Sequence, residues 1–272
     1  MNSITDKLKE LEFQIELLKK RTSSLENMLK EYFPLSIDKL LKMRGFNVIR
    51  KENNLELIKE ENRELLYVYL KSYYFRRVLR DVLFVKEIST KEKELIEEKW
   101  GEVTEDYIDK IRALGILKKE KDTLVAQIPL GYMGTILEWF IGRYLEKELG
   151  LETMVDVKLR NLESGGDIDI LSRIGTNLIA IECKESPPNN VPVSELKSVI
   201  GRVNFIKPDI FILLIDTTLS IKKNILDNLT WITKTKPKRL KEGVYTFGSG
   251  KFIITAKRGL LQNTAYVLNS IL

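Results

Sequence analysis

Apolar residues recur over the first 33 positions at alternating spacings of four and three: Ile4, Leu8, Leu11, Ile15, Leu18, Thr22, Leu25, Leu29 and Tyr32. Charged residues fill most of the positions between them. Four heptads of this 3.5-residue period predict a coiled coil over residues 1–33. One amphipathic helix packed on its own protein is the alternative, but the strict period favours self-association into a homodimer. Pro34 has no backbone N–H to continue the ladder and ends the helix.

The pattern then becomes less regular. Residues 34–87 predict a small α+β region: a helix, strand-like stretches at 45–49, 55–58 and 65–70, and a second helix. That helix carries Tyr73, Tyr74, Phe75, Arg76, Arg77 and Arg80. Arginines among aromatics either bind nucleic acid by charge and stacking or mark a helix with a buried aromatic side and a solvated basic side. Residues 88–129 predict a helix over 91–100 capped by Ser89 or Thr90, and a second over 105–114 capped by Thr104. A charged turn at 118–122 leads into the apolar stretch 123–127.

Residues 130–272 form the largest unit. The pattern predicts a helix over 134–149, strands over 155–159, 168–173 and 178–184, a helix over 193–206, and an almost wholly apolar strand over 210–215. The last is the signature of a strand buried on both faces. A helix at 220–232, a hairpin through Gly248-Ser249-Gly250 and a terminal helix follow. Helices and strands in this order predict an α/β sandwich around a mixed sheet.

Composition narrows the chemistry. The 272 residues include no histidine and one cysteine, Cys183. A Ser-His-Asp triad, a His-ligated zinc and an intrachain disulfide are therefore excluded within one chain. The lone cysteine fits a reducing cytoplasm. No apolar run approaches a membrane span, and the charged N-terminus does not read as a signal peptide. The net charge is +6, and residues 207–258 alone hold 11 basic and 4 acidic side chains. Lys234, Lys236, Lys238, Arg239 and Lys241 within that stretch predict a phosphate-binding face, with DNA as the partner.

What remains for catalysis is carboxylate, lysine, hydroxyl and metal. The candidate is Gly165-Gly166-Asp167-Ile168-Asp169-Ile170-Leu171 followed by Ile179-Ala180-Ile181-Glu182-Cys183-Lys184. Asp169 and Glu182 fall on neighbouring strands joined by a short hairpin, and alternation puts Lys184 on the same face as Glu182. Two close carboxylates repel unless a cation sits between them. Oxygen ligands of this kind favour Mg²⁺ or Mn²⁺, and the peptide carbonyl of Cys183 adds a further oxygen. The Cys183 thiol reads as a small buried side chain rather than a nucleophile.

These residues resemble the PD-(D/E)xK nuclease superfamily. The resemblance covers residues 134–216, extending toward the C-terminus, and implies a restriction-endonuclease-like mixed-sheet α/β domain over 130–272. It implies metal binding by Asp169 and Glu182, a catalytic Lys184, and a further metal-binding acid at Glu138 within Ile136-Leu137-Glu138-Trp139-Phe140. Asp167 competes with Asp169, and family branches with a Gly-Glu-x-Asp pattern favour the later acid. The Gln or Lys that some branches carry on the next helix would correspond to Lys197. Residues 88–129, with Leu114-Gly115-Ile116-Leu117 before a charged hairpin, resemble winged helix-turn-helix domains. Their 10 acids and 8 bases over 88–128 leave a protein partner as open as DNA. The implied activity is Mg²⁺-dependent DNA cleavage by a dimer. A nuclease scaffold that binds or assembles without cutting is the alternative.

Overall fold

The computed structural model describes residues 2–32, 36–51, 55–160 and 167–270. Pro34 and the loop at 161–166, with Gly165 and Gly166, lie outside the described residues. Helix α1 (Asn2–Tyr32) bears the heptads. Every residue from 11 to 25 is exposed, and Leu11, Ile15, Leu18 and Leu25 are each more than half exposed. This part of the seam is not packed on its own protein.

Ser36 caps α2 (Ile37–Met43) by accepting from the Lys39 amide, and strand β1 (Val48–Lys51) follows. The next stretches differ from the pattern-based expectation. Residues 55–58 form a turn, with the Ile58 amide donating to the Leu55 carbonyl over 2.9 Å, and 65–70 belongs to helix α3 (Glu60–Leu70). Leu66, Tyr67 and Leu70 lie on one helical face and are buried, whereas Leu65 and Val68 are exposed. Helical burial, with Glu60 and Glu61 in the first turn, outweighs the β preference of the aromatic and branched residues.

Helix α4 (Tyr73–Val85) brings a second correction. Arg76 and Arg77 are neither a solvated face nor a nucleic-acid surface; both are buried on Asp216. After β2 (Glu87–Ile88), Ser89 and Glu92 form a capping box on α5 (Thr90–Trp100). Helix α6 (Val103–Ala113) starts one residue before Thr104, so that threonine is a buried residue of the helix rather than its cap. β3 (Leu117–Glu120) and β4 (Thr123–Ala126) form a hairpin, and β2 joins it in a small sheet of order β2-β4-β3.

The large sheet begins after α7 (Tyr132–Lys147). β5 (Glu152–Leu159), β6 (Ile168–Ile174) and β7 (Asn177–Lys184) form an antiparallel meander. Helix α8 (Val193–Ile206) crosses to β8 (Ile210–Ile215), which is parallel to β7. A π-helical turn over Lys222–Leu226 feeds α9 (Asp227–Thr233). β9 (Lys238–Lys241), β10 (Val244–Thr246), β11 (Lys251–Thr255) and α10 (Leu260–Asn269) complete the fold. Among the described residues the sheet has eight strands in the order β1-β5-β6-β7-β8-β11-β10-β9. β9 is an edge strand that the apolar pattern did not predict.

Alternation along the strands builds two cores. Ile170, Ile179, Ile181 and Ile212 face a layer containing α7 and α10, whose apolar cluster continues through α3–α6 and the small sheet. Leu171, Leu178, Ala180, Phe211 and Leu213 face α2, α8 and α9. All six β8 side chains are buried between these layers.

Candidate active site

The meander sets three acids in a row. The β5–β6 register pairs Val155 with Ile170 and Val157 with Ile168, so Asp156 lies opposite Asp169. The β6–β7 ladder ends at the pair Ile170–Ile181, and Asp169 and Glu182 are the next residues on the two strands. Like charges opposed across strands are destabilising. The buried apolar neighbours Val157, Ile168, Ile170, Ile181 and Cys183 hold the strands together around them. Asp156 adopts a positive φ of 50°, which aspartate tolerates better than most residues.

Glu138 reaches the row from α7. Gly142, one turn later on the same helix, makes the approach possible: a Cβ there would sit 2.6 Å from a Val155 methyl. The helix can therefore lie close against β5, beside Asp156. Glu138, Asp156, Asp167, Asp169 and Arg202 line a cavity of about 670 Å³. The turn at 55–58 forms its rim, where the Leu57 amide donates to the Tyr132 hydroxyl over 3.2 Å.

Beneath the cavity, Glu182 is buried and doubly countered. Lys184 Nζ donates to Oε1 over 2.7 Å, and Arg202 Nη2 lies 2.8 Å from Oε1 and 2.7 Å from Oε2. Lys184 Nζ also meets Glu195 Oε1 on α8 at 2.6 Å. Asp169 Oδ2 accepts from the Cys183 amide over 2.6 Å.

Negative charge exceeds positive charge here. Burial pushes the Glu138 carboxyl up to about 7, helped by Asp156 and Glu182 and opposed by Lys184. Burial, with Glu182 and Glu138, likewise raises Asp169 well above the usual carboxylate range. Burial works against the Lys184 ammonium, but Glu182 and Asp169 outweigh it and raise its pKa, so this lysine holds its proton. The Cys183 thiol is raised by burial and by the nearby carboxylates, which leaves it unreactive.

No family model matches the chain, and no curated protein matches it by sequence. Solved structures do share its fold, and two of them show the extent of the likeness. Protein VC1899 from Vibrio cholerae superposes with a TM-score of 0.50 at 12% identity over 86% of this chain. Can2 from Sulfobacillus thermosulfidooxidans, solved in complex with cyclic tetra-adenylate, superposes with a TM-score of 0.51 at 15% identity over 88% of this chain. The chain covers 61% of each of those proteins. The likeness is one of fold: a mixed α/β protein with an eight-stranded mixed sheet and a helical N-terminal region.

Glu138, Asp169, Glu182 and Lys184 thus lie near enough to shift one another's protonation, with Asp167 lining the same cavity as Glu138 and Asp169. The other expected residues are elsewhere. Lys238, Arg239 and Lys241 lie on β9, four strands from β7, which is about 19 Å at ordinary strand spacing. Lys234 ends α9, and Lys236 lies in the link to β9. Lys197 points away from the site, its Nζ lying 4.5 Å from the Trp231 ring centre.

Asp156 and Arg202 were not anticipated, although signals for both exist. Asp156 interrupts the apolar run of its strand. Arg202 follows Glu195 by seven residues, two helical turns, so the two share a face of α8.

The donors suit a hard divalent cation in kind. They are oxygens, and the raised pKa of Glu138 and Asp169 marks carboxylates crowded and buried together, whose ionised forms Mg²⁺ or Mn²⁺ would stabilise. Lys184 and Arg202 do this for Glu182 in the structure. Among the described residues no three acidic side chains close around a single point.

Proposed function

We propose that the chain is a metal-dependent deoxyribonuclease that hydrolyses phosphodiester bonds. The observation that carries this reading is the acid row Asp156–Asp169–Glu182, with Lys184 on the last strand and Glu138 arriving from α7. The resemblance to the PD-(D/E)xK superfamily supports it independently of the fold likeness. Asp169, Glu182 and Glu138 would hold Mg²⁺ or Mn²⁺, with the Cys183 carbonyl as a further oxygen. When bound, such an ion supplies charge neutralisation at the scissile phosphate and a more acidic water.

The chain's own residues supply the rest. Lys184 keeps its proton and donates to a phosphoryl oxygen, acting as an electrostatic stabiliser rather than a base. Arg202 holds Glu182 through Nη2, and its other guanidinium nitrogens can meet a phosphate at the cavity mouth. Glu195 orients Lys184. The exposed heptad face of α1 would pair two protomers, giving two sites for two strands. The basic stretch from Lys234 to Lys241 would hold DNA backbone beyond the site, which makes affinity strongly salt-dependent. Residues 88–129 would contact DNA or a protein partner.

A second reading, a nuclease scaffold that binds DNA without cutting, is favoured by one feature: both Glu182 oxygens are engaged by cations. A cleavage assay separates the two. Linear, single-stranded, circular and branched DNA would be incubated with Mg²⁺ or Mn²⁺ and wild type, Asp169→Ala or Lys184→Ala. The nuclease reading expects cutting that Asp169→Ala abolishes and Lys184→Ala slows on the order of 10²–10³-fold. DNA binding without cutting of any substrate by folded wild type selects the scaffold reading.

A further inference from the structure

Trp231 is the most exposed tryptophan of the protein, at 55%, whereas Trp139 is buried and Trp100 is partly covered. It projects from α9 beside α8. Two ammonium groups attend its ring, Lys197 Nζ at 4.5 Å and Lys234 Nζ at 5.7 Å from the centre. The surface around it is strongly basic: residues 218–240 hold Lys222, Lys223, Lys234, Lys236, Lys238 and Arg239 against the single acid Asp227. An exposed indole among cations has a flat face for a base and charges for the phosphates on either side.

Its position relative to the cavity gives this surface a role. Helix α8 carries Glu195, bonded to Lys184, and Lys197, beside Trp231. Two residues on a helix are about 200° apart, so these side chains leave α8 on nearly opposite sides. Lys184 and Trp231 therefore lie on opposite sides of α8, at least one helix with its side chains apart, about 10–12 Å.

Resting on the nuclease reading above, we propose that Trp231, with Lys197 and Lys234, forms a stacking platform for an unpaired base of a nucleic-acid strand whose scissile phosphodiester lies at Lys184. The favoured substrate then has a single-stranded segment next to the cleavage point. Lys197, which points away from the carboxylates, contributes to binding rather than to chemistry.

The test measures binding to oligothymidylate, and to an abasic strand of equal length and charge, in EDTA so that nothing is cut. Binding would be followed by fluorescence anisotropy of the labelled strand, with tryptophan emission as a second readout. The platform predicts that oligothymidylate quenches the emission of wild type but not of Trp231→Leu. It also predicts that Trp231→Leu binds oligothymidylate roughly 5–100-fold more weakly. The abasic strand should bind both proteins equally weakly, and Trp231→Phe should recover part of the loss. Because the side chain is exposed, these variants should melt as wild type does. Equal binding of oligothymidylate by wild type and Trp231→Leu, or no binding by wild type at low salt, overturns the proposal. Metal-dependent cutting of duplex DNA by both proteins would then leave the nuclease reading intact. Trp231-dependent binding without any cutting would instead retain the platform and remove the nuclease.

Discussion

Asp216 and Asp169 sit near the same end of the sheet and have opposite surroundings. Asp216 follows β8 and is fully buried. Arg76 grips both its oxygens at 2.7 and 2.8 Å, and Arg77 adds a third contact at 2.7 Å. Burial alone would raise its carboxyl, but the two guanidiniums hold it below the usual range. Asp169 is pushed up instead, by burial and by the neighbouring Glu182 and Glu138 carboxylates. Asp216 has two guanidiniums as its nearest charges; Asp169 has two carboxylates and one ammonium as its own. The two are joined, because the Asp216 amide donates to the Lys184 carbonyl over 2.8 Å. The Arg76–Asp216 cluster thus anchors the strand end that presents Asp169's neighbours Glu182 and Lys184.

The largest effect expected from this contrast is on the balanced side. Asp216→Ala would strand two buried guanidiniums and lower stability by about 3–5 kcal/mol, measurable by urea unfolding. A loss no larger than that of a surface substitution would mean that the Arg76–Asp216 cluster is not the anchor described.

Next is a pH effect on the unbalanced side. Glu138 in the folded protein holds its proton up to about pH 7, whereas an unfolded glutamate releases it near 4.5. Folding of the metal-free protein is therefore favoured by this group below pH 4.5 and loses that contribution as pH rises toward 7. A metal must displace the same proton, so Mn²⁺ affinity should fall about tenfold between pH 8 and pH 6. An affinity that is flat over this interval would remove Glu138 from the metal's surroundings.

The smallest effect is opposite in sign to the first. Asp169→Asn keeps the shape of a carboxyl that burial and its acidic neighbours disfavour as an anion, and should raise the melting temperature of the chelated protein. Thermal melting in EDTA reads this directly. Destabilisation by Asp169→Asn would erase the distinction between the two clusters.

The strands that carry the candidate site were more legible in the sequence than the regions that frame them. Apolar alternation in Ile168–Ile174 and Asn177–Lys184, broken by Asp169 and Glu182, carries both the strands and their chemistry. The wholly apolar Ile210–Ile215 likewise announces a central strand. β9 was hidden because Lys238–Lys241 is an exposed edge with no apolar face, held by its ladder to β10. The strand-like run in α3 was ambiguous locally and was decided by which side chains the neighbouring α7 buries. Arg76 and Arg77 read as solvated because their partner, Asp216, lies 140 and 139 residues away. Asp156 and Arg202 enter the site only through strand register and helix face.

The most direct test of the charge-deficit account is calorimetric titration of the protein with Mn²⁺ at pH 7, beside Asp169→Ala. The account predicts saturable binding with release of protons by wild type, and loss of both in the variant. No binding by wild type, or equal binding by Asp169→Ala, would contradict it.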